Sequence, residues 1–310
     1  MSAEFLELGF EKNLYAVNRP SLADSFTEKN RCGIYILHFQ NGEYYVGQAI
    51  DVVKRHAQHR KTHSDIEELS FLEVAKSKLA QVEKQTVSAL ESRKKPLRNI
   101  NLVSILSGGN DLSLVVSTRE QERWLNRESD TDKEKANRFD YPELRKKYRG
   151  KFEKLKKSDK YTQTVRILRK YVKNAIPFPC RTEYSFWSCT CLPGGRVLAR
   201  ININWQEVFA IYGRGPFTKI FLSESKLFKK YSDAELDKKY PSMALTDLTY
   251  VPGGADQQCI VVGESDIMEL LDDTLVLDAM RDFNLRLMQK GGCIYNRYHC
   301  FDLADKALRT

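Results

Sequence analysis

The alternation of apolar and polar positions predicts a small mixed domain at the start of the chain. In the stretch CGIYILHFQNGEYYVGQA, two apolar-aromatic runs flank Asn41-Gly42, a pattern typical of a β-hairpin. A helix is predicted from Asp51, a strand near Leu69–Val74 and a second helix from Leu79 to about Glu91. Residues 1–30 lack such a pattern, so we expect them to be irregular or helical.

The pattern changes twice further along the chain. SGGND at 107–111 marks a loop, and LSLVVS after it has the composition of one more strand. Residues 118–173 are charged and mostly helical in composition. Two strand-like runs around Pro193–Gly195 predict a second hairpin, and a helix is predicted around Met268–Met288.

These patterns predict an α+β fold in three segments. The chain has 310 residues, which is enough for two domains that each bury a core. We place an N-terminal domain at 1–107, a basic and mostly helical connector at 108–175, and a C-terminal α+β domain at 176–310. The last segment carries no motif that indicates its role.

The length of the first hairpin loop decides where its tyrosines lie. A two-residue turn at Asn41-Gly42 would put Tyr35 and Tyr45 on opposite faces of the sheet. A three-residue loop with Gly42 in the left-handed conformation would instead pair Tyr35 with Gly47 and place both tyrosines on one face. The pattern alone leaves both arrangements open.

Polar residues on the two predicted helices of this domain occupy informative positions. Asp51 is a good N-cap, and Arg55 and His59 lie four residues apart, so they share a helix face. On the second helix, Glu83 falls inside the apolar stripe that begins at Leu79. A carboxylate on a buried face is costly unless it is paired or binds a metal.

Charge is concentrated in one stretch. Residues Glu143–Lys173 contain 13 Lys and Arg residues against 3 acidic ones, an excess larger than the whole-chain net charge of +9. Such a stretch is suited to nucleic-acid phosphates, and the alternative is a solvated helix face. The aromatic side chains within it, Tyr148, Phe152, Tyr161 and Tyr171, fit a core more readily than a stacking surface. The cations that we expect to contact nucleic acid are Lys146, Lys147, Arg149, Lys151, Lys156, Lys157, Arg166, Arg169 and Lys170.

Composition points to a cytoplasmic protein. No apolar run approaches the roughly 18 to 20 residues that span a bilayer, and MSAEFLELGFEKN has acidic residues where a secretory signal is basic. The seven cysteines have irregular spacing, as expected for reduced thiols. Cys189, Cys191, Cys293, His299 and Cys300 could supply zinc ligands, but they lack the paired spacing of structural zinc sites.

Six ordered positions in the first domain resemble the GIY-YIG nuclease domain. The resemblance covers about residues 31–102, with valine in place of isoleucine in the second half of the motif. Its positions are GIY at Gly33–Tyr35, YVG at Tyr45–Gly47, Arg55, His59, Glu83 and Asn99 in PLRNI.

The resemblance implies a three-stranded antiparallel sheet flanked by helices, which cleaves phosphodiesters with one divalent metal ion. It also implies that Tyr35 and Tyr45 share a face, which requires the three-residue loop. Tyr35 would take a proton from the attacking water or orient it, and Tyr45 would position water and phosphate. Arg55 would bind the scissile phosphate, and His59 would be an auxiliary donor or a proton relay.

Two further roles follow from the same resemblance. Glu83 corresponds to the metal ligand, and Asn99 to a residue that braces the site. Mg²⁺ or Mn²⁺ is the expected cofactor, because such ions prefer oxygen ligands and one carboxylate plus substrate phosphate can suffice. Tyrosine has an ordinary pKa of about 10, so Tyr35 needs a neighbouring positive charge to act as a base, or it relays the proton.

We therefore expect a metal-dependent DNA endonuclease, similar to restriction, mobile-element or anti-invader enzymes. The C-terminal domain would then recognise a site, a structure or a partner. Two alternatives stay open: a nucleic-acid-binding module with a residual nuclease site, and a nuclease that cleaves RNA.

Overall fold

The computed structural model describes residues 3–17, 19, 21–61, 63–98, 111–128, 138–215 and 217–308. The chain divides into two compact units, Met1–Ser107 and Gly108–Thr310. Within the described parts of both units, every helix is too short or too polar to cross a membrane.

The first unit is built around one antiparallel sheet. Its described strands follow the order β1-β4-β2-β3, so β3 lies at an edge. The elements of this unit are α1 (Ala3–Glu7), β1 (Lys12–Tyr15), β2 (Gly33–Phe39), β3 (Tyr44–Ala49), α2 (Val52–His59), β4 (Ile66–Glu73) and α3 (Leu79–Ser92).

The hairpin of β2 and β3 has the three-residue loop. Tyr35 pairs with Gly47 and Leu37 pairs with Tyr45 across the two strands. Gly42 has a φ of 80°, the left-handed conformation that the loop needs and that glycine adopts without strain. Tyr35 and Tyr45 therefore share one face of the sheet, which confirms this part of the sequence-based expectation.

The N-terminal residues add a strand that the sequence did not predict. β1 pairs with β4 from Lys12 to Tyr15, so the described sheet has four strands rather than the three expected, and the expectation of an irregular or helical start is wrong for this stretch. β1 lies at the other edge of the sheet and is only partly buried, so it shows no clear alternation. Its pairing partner, and not its own pattern, makes it a strand.

Each face of this sheet buries its own apolar cluster. Tyr35 and Leu37 pack on one face with Val52 and Val53 of α2. The opposite face carries a second cluster drawn from the sheet and α3, whose buried members include Ile34, Ile36, Val46, Leu79, Val87 and Leu90. Tyr44 joins this second cluster, as expected from its position beside Tyr45. The two helices thus cover opposite faces, and β3 forms the edge between them.

The second unit is larger and combines a sheet with helices. Its described strands form one antiparallel sheet in the order β5-β6-β7-β8-β10-β9. Its elements are α4 (Thr118–Leu125), α5 (Pro142–Lys156), α6 (Tyr161–Ala175), α7 (Pro179–Thr182), β5 (Trp187–Gly194), β6 (Val197–Ile203), β7 (Gln206–Tyr212), β8 (Phe217–Leu222), α8 (Glu224–Phe228), α9 (Asp233–Lys239), β9 (Met243–Thr246), β10 (Gln258–Gly263), α10 (Ile267–Leu270), α11 (Thr274–Gln289) and α12 (Phe301–Leu308).

Two local predictions in this unit need correction. LSLVVS is not a strand: its first residues form a 3₁₀ turn, with Leu112 and Val116 buried but Leu114 87% exposed, as helical spacing requires. The predicted helix around Met268–Met288 is divided into α10 and α11. Asp273 separates the two, because its side chain accepts hydrogen bonds from the first amides of α11. The hairpin of β5 and β6 is present as predicted.

The helices of residues 108–175 do not form a separate connector. Tyr148 and Phe152 of α5 are buried in the same apolar cluster as the larger sheet. Tyr171 of α6 is fully buried and stacks on Phe209 of β7, with ring centroids 4.0 Å apart. The aromatic side chains of the basic stretch are therefore core residues and not exposed stacking surfaces, and the helices belong to the second unit because their apolar stripes need this core.

Candidate active site

The hydroxyl of Tyr35 is the centre of a polar cluster in the first unit. It lies 2.7 Å from Nε2 of His59 and 3.3 Å from Nε of Arg55. These two side chains come from α2, whereas Tyr35 comes from β2. Three of the residues singled out in the sequence thus meet at one oxygen atom.

Local structure explains how α2 presents this pair. Asp51 caps the helix by accepting a hydrogen bond from the backbone amide of Lys54. Val52 and Val53 anchor the first turn in the core, which turns Arg55 and His59 toward the sheet. The i,i+4 spacing then brings both side chains to the same place.

Gly47 makes room for the tyrosine. A Cβ atom at this position would lie 2.3 Å from the Tyr35 hydroxyl oxygen, far inside contact distance. The phenol ring of Tyr35 therefore occupies space that any other residue opposite it would fill. The second glycine of the motif is required by packing across the strand pair and not by its own backbone conformation.

Tyr45 and His59 complete the wall of the cluster. The ring centroid of Tyr45 lies 6.3 Å from that of Tyr35 and 5.0 Å from that of His59. His63 stacks on His59, with ring centroids 6.0 Å apart. The imidazole of His59 is thus enclosed by aromatic rings.

Hydrogen-bond chemistry constrains the protons in this cluster. An arginine Nε–H can only donate, so the Tyr35 oxygen accepts from Arg55, and in the His59 tautomer that carries its hydrogen on Nδ1 the Tyr35 hydroxyl donates to Nε2. Burial lowers the pKa of His59 to about 4, with the charge of Arg55 adding to this effect, so the ring is neutral near pH 7 and can accept. Burial raises the pKa of Tyr35. In that tautomer Tyr35 is a neutral phenol whose hydrogen points at His59.

Glu83 lies on the apolar side of α3, as the sequence predicted, and is buried. Its Oε2 accepts a hydrogen bond of 3.0 Å from Nε2 of Gln48, on the edge strand β3. Burial raises the pKa of Glu83, and hydrogen bonding by Gln48 and the charge of Arg55 oppose this rise. The carboxylate is buried without an ion pair to a described cation, although the charge of Arg55 is close enough to act on it.

This environment fits a divalent cation held by one carboxylate. Glu83 offers hard oxygen donors, and a cation would offset the cost of its burial. Among residues 3–308, apart from the gaps in the description, no three His, Cys, Asp or Glu side chains converge as a metal site. Glu83 would supply a carboxylate ligand, with water or substrate oxygens as further ligands. The cysteine and histidine set considered for zinc does not form such a group either.

Two glutamines in this region were not singled out from the sequence. Gln48 directly follows YVG and contacts Glu83, and Gln58 accepts a hydrogen bond of 3.1 Å from Nη1 of Arg55. Gln58 lies three residues after Arg55 on the same helix, a spacing that could have indicated it. Gln48 had no such signal, because its contact depends on the packing of α3 against β3. Asn99 lies outside the described residues.

The basic residues lie on the outer faces of α5 and α6. The exposed ones are Lys146, Lys147, Arg149, Lys151, Lys156, Lys157, Arg166 and Arg169. Lys170 differs, because it is partly buried and its ammonium contacts Asp272 and the carbonyl oxygen of Met268.

Comparisons of the whole chain with family models, with curated proteins and with solved structures find no match.

Proposed function

We propose that the first unit hydrolyses phosphodiester bonds in DNA with the help of a divalent metal ion. The observation that carries this proposal is the meeting of Arg55 and His59 at the hydroxyl of Tyr35. A guanidinium, a phenol and a neutral imidazole in contact provide what the reaction needs: a positive group for the phosphate and a path for the proton of the attacking water. The buried carboxylate of Glu83 supports the metal requirement.

Arg55 binds the scissile phosphate. Its side chain is exposed, and the contacts with Tyr35 and Gln58 use only some of its N–H groups. The others can donate to phosphate oxygens, where a guanidinium offsets the charge that develops during in-line displacement. The hydrogen bond to Tyr35 holds the guanidinium next to the hydroxyl group through which the proton moves.

Tyr35 and His59 move the proton of the water. Because burial raises the pKa of Tyr35, a standing phenolate is unfavourable near pH 7, and a relay is the better description. As the water oxygen attacks phosphorus, its proton passes to the Tyr35 oxygen and the phenolic hydrogen passes to Nε2 of His59. The leaving oxygen departs from phosphorus with the electron pair of the broken bond and takes up a proton from solvent, and the imidazolium of His59, whose pKa is low, returns its proton to solvent.

Glu83 would hold the metal ion, oriented by the hydrogen bond from Gln48. Mg²⁺ or Mn²⁺ bound there supplies Lewis-acid stabilisation of negative charge on the phosphate. The exposed cations of α5 are suited to the sugar-phosphate backbone, since phosphate contacts of this kind give affinity without sequence preference.

Plasmid cleavage tests this proposal. Purified protein is incubated with supercoiled DNA, single-stranded DNA and single-stranded RNA in Mg²⁺, in Mn²⁺ and in EDTA. We expect metal-dependent nicking of DNA, and a loss of about 10²-fold or more in rate for Arg55→Ala, because a positive group at the transition state is removed. Glu83→Gln should lose activity to a similar extent while DNA binding persists.

Matched controls are available in the same unit. Lys54→Ala removes an exposed cation beside Arg55 on α2, and Glu73→Gln neutralises an exposed carboxylate on β4. Both should cleave at the rate of the unmodified protein. Cleavage of RNA alone would identify an RNA nuclease. Cleavage that is insensitive to EDTA, or that survives both Arg55→Ala and Glu83→Gln, would contradict the proposal.

A further inference from the structure

The second unit contains a cavity of about 560 Å³ that is separate from the tyrosine cluster. Side chains from β5 to β8 line it, and α5 contributes Lys151 from the basic stretch. Its size falls within the roughly 300 to 1,000 Å³ that is usual for small-molecule sites. All its lining residues belong to the second unit, so the inference does not depend on the proposed nuclease activity.

The charged groups of the cavity favour an anion. Glu207 is buried between two cations, forming ion pairs with Arg200 and with Lys219, whose ammonium lies 2.6 Å from Oε1. Two positive charges therefore face one negative charge, and Lys151 adds a third positive charge at the wall. Although burial disfavours the charged ammonium, the hydrogen bond and charge of Glu207 raise the pKa of Lys219, so it stays protonated. The cavity thus carries a net positive charge.

An amide group in the cavity lacks partners. Gln206 is 1% exposed and lines the cavity, yet neither its amide nitrogen nor its amide oxygen has a hydrogen-bond partner among the described residues. Buried polar groups normally find partners, because leaving them unpaired costs free energy. A glutamine amide presents a donor beside an acceptor, which matches the paired donor and acceptor on the edge of a nucleobase.

Aromatic rings stand at the rim of the cavity. Trp205 lies at the tip of the β6–β7 hairpin, where Asn204 adopts a φ of 50°, and Trp205 is 54% exposed. The Tyr295 hydroxyl donates to the carbonyl oxygen of Trp205 at 3.5 Å, which ties the tip to a neighbouring loop. Tyr298 is also exposed beside the cavity. Exposed aromatic faces of this kind stack well on flat rings such as bases.

We propose that this cavity binds one nucleotide, an aromatic base together with its phosphate. The rim aromatics would stack on the base, Gln206 would pair with its edge, and the cations around Glu207 and Lys151 would attract the phosphate. The nucleotide is either free in solution or an unpaired or terminal residue of a nucleic acid. Lys151 favours the second source, because it continues the exposed basic face of α5 into the cavity.

Trp205 provides a direct signal for binding. The chain has 3 tryptophans, and the other two, Trp124 and Trp187, are buried. Quenching of the solvent-exposed indole emission in the full-length protein therefore reports on the cavity rim. The probes are the four ribonucleoside 5′-monophosphates and their deoxy forms, with ribose 5-phosphate as the ligand that lacks a base. We expect quenching by nucleotides and little or none by ribose 5-phosphate.

Binding by substituted proteins tests whether the nucleotide occupies this cavity. Equilibrium dialysis with radiolabelled nucleotide should show affinity about tenfold weaker or more for Trp205→Ala, as is usual when a stacked aromatic is removed. Gln206→Leu should reduce the discrimination among the bases. Leu248→Ala, which truncates an exposed apolar residue elsewhere in the second unit, is the control and should bind normally. Trp205→Ala changes only an exposed indole, so it remains informative if Gln206→Leu fails to fold.

The results have distinct consequences. Equal affinity for a mononucleotide and for single-stranded oligonucleotides would identify a free nucleotide as the ligand. Tighter binding of oligonucleotides, with a rise in 2-aminopurine emission as one base unstacks, would identify a nucleotide within a strand. Absence of binding, equal binding of ribose 5-phosphate, or unchanged affinity in both Trp205→Ala and Gln206→Leu would overturn the proposal. These measurements contain no cleavage step, so they succeed or fail independently of nuclease activity.

Discussion

The tyrosine cluster and the nucleotide cavity solve the burial of polar groups in opposite ways. In the cluster, Tyr35, His59 and Arg55 satisfy one another through hydrogen bonds. In the cavity, Glu207 is neutralised by its neighbours, but the amide of Gln206 finds no hydrogen-bond partner within the part of the chain that the structure describes. The hydrogen bonds at the Tyr35 hydroxyl are thus made within the protein, whereas the proposed ligand of the cavity would supply the partners that the Gln206 amide needs.

The largest expected effect in this comparison comes from removing the Tyr35 hydroxyl oxygen, which contacts both Arg55 and His59. Tyr35→Phe keeps the ring that fills the space over Gly47 but interrupts the path from water to His59. We expect the cleavage rate to fall by about 10²- to 10⁴-fold, the usual contribution of general acid–base groups. Single-turnover cleavage of plasmid measures it, with Tyr15→Phe on β1, an exposed tyrosine of the same unit, as the control. A rate within twofold of the unmodified protein would show that the proton takes another route.

Two glutamine substitutions test the contrast directly. Gln48→Leu removes the donor to the buried carboxylate of Glu83, and we expect metal affinity to fall by about 10- to 100-fold, as for other partners of metal ligands. Gln206→Leu removes an amide that has no hydrogen-bond partner among the described residues, so the melting temperature of the second unit should stay the same or rise. Metal titration of activity and thermal unfolding give the two readouts. A destabilised Gln206→Leu protein would break the comparison, because it would mean that this amide is satisfied.

Two glycine substitutions extend the contrast from polar groups to packing. Gly47→Ala would press a methyl group into the Tyr35 hydroxyl, and we expect the first unit to lose about 1 to 3 kcal/mol of unfolding free energy, together with activity. Gly150→Ala on α5 meets open space and should stabilise the second unit by about 0.5 to 1 kcal/mol, since alanine favours helix. Hydrogen exchange measured separately in each unit provides the test. Unchanged protection in the Gly47→Ala protein would contradict the close approach.

A further expected effect is a difference in pH dependence. Burial lowers the pKa of His38, His56 and His59 to about 4, whereas an unfolded histidine titrates near 6.5. The unfolded first unit therefore binds more protons between these values, so its stability is complete above about pH 6.5 and declines as the pH falls toward 4. The raised pKa of Glu83 acts in the opposite direction, but it is one group against three.

The tryptophans make this pH effect measurable for each unit. All 3 lie in the second unit, so tryptophan emission follows that unit, while hydrogen exchange follows the first. We expect the first unit to lose protection between pH 6.5 and 4 before the second unit unfolds. If hydrogen-exchange protection of the first unit and the native tryptophan emission of the second unit were lost at the same pH, the histidines would not determine which unit unfolds first.

The sequence predicted the tyrosine cluster well because the cluster is built from local spacing. Arg55 and His59 are joined by one helical turn, so their spacing was enough to place them on one face. Tyr35 and Gly47 are joined by one hairpin, whose loop length the pattern left open and only the family resemblance implied. Glu83 was visible because a carboxylate inside an apolar stripe is unusual. Gln48 was missed, since its contact with Glu83 depends on how α3 crosses the sheet edge.

The cavity could not be predicted in the same way. Its residues come from positions between Tyr148 and Tyr298 and meet only through the strand order of the larger sheet. That order places β10 between β8 and β9, which local pattern does not encode. The strand β1 was missed for a related reason, because an edge strand with little burial shows no alternation. Helix content in the basic stretch was predicted, but its membership of the second core was not.

The three-residue loop between β2 and β3 has a consequence for how this gene can vary. Because side chains alternate along a strand, loss or gain of a single codon between Gln40 and Gly42 would shift the pairing that now joins Tyr35 to Gly47. Most substitutions in this exposed loop leave the pairing register of β2 and β3 unchanged. A one-residue insertion or deletion would instead put Tyr35 and Tyr45 on opposite faces of the sheet, even though every residue of the motif is still present. Natural or laboratory variation should therefore tolerate many different residues at Gln40 and Asn41 while keeping their number fixed.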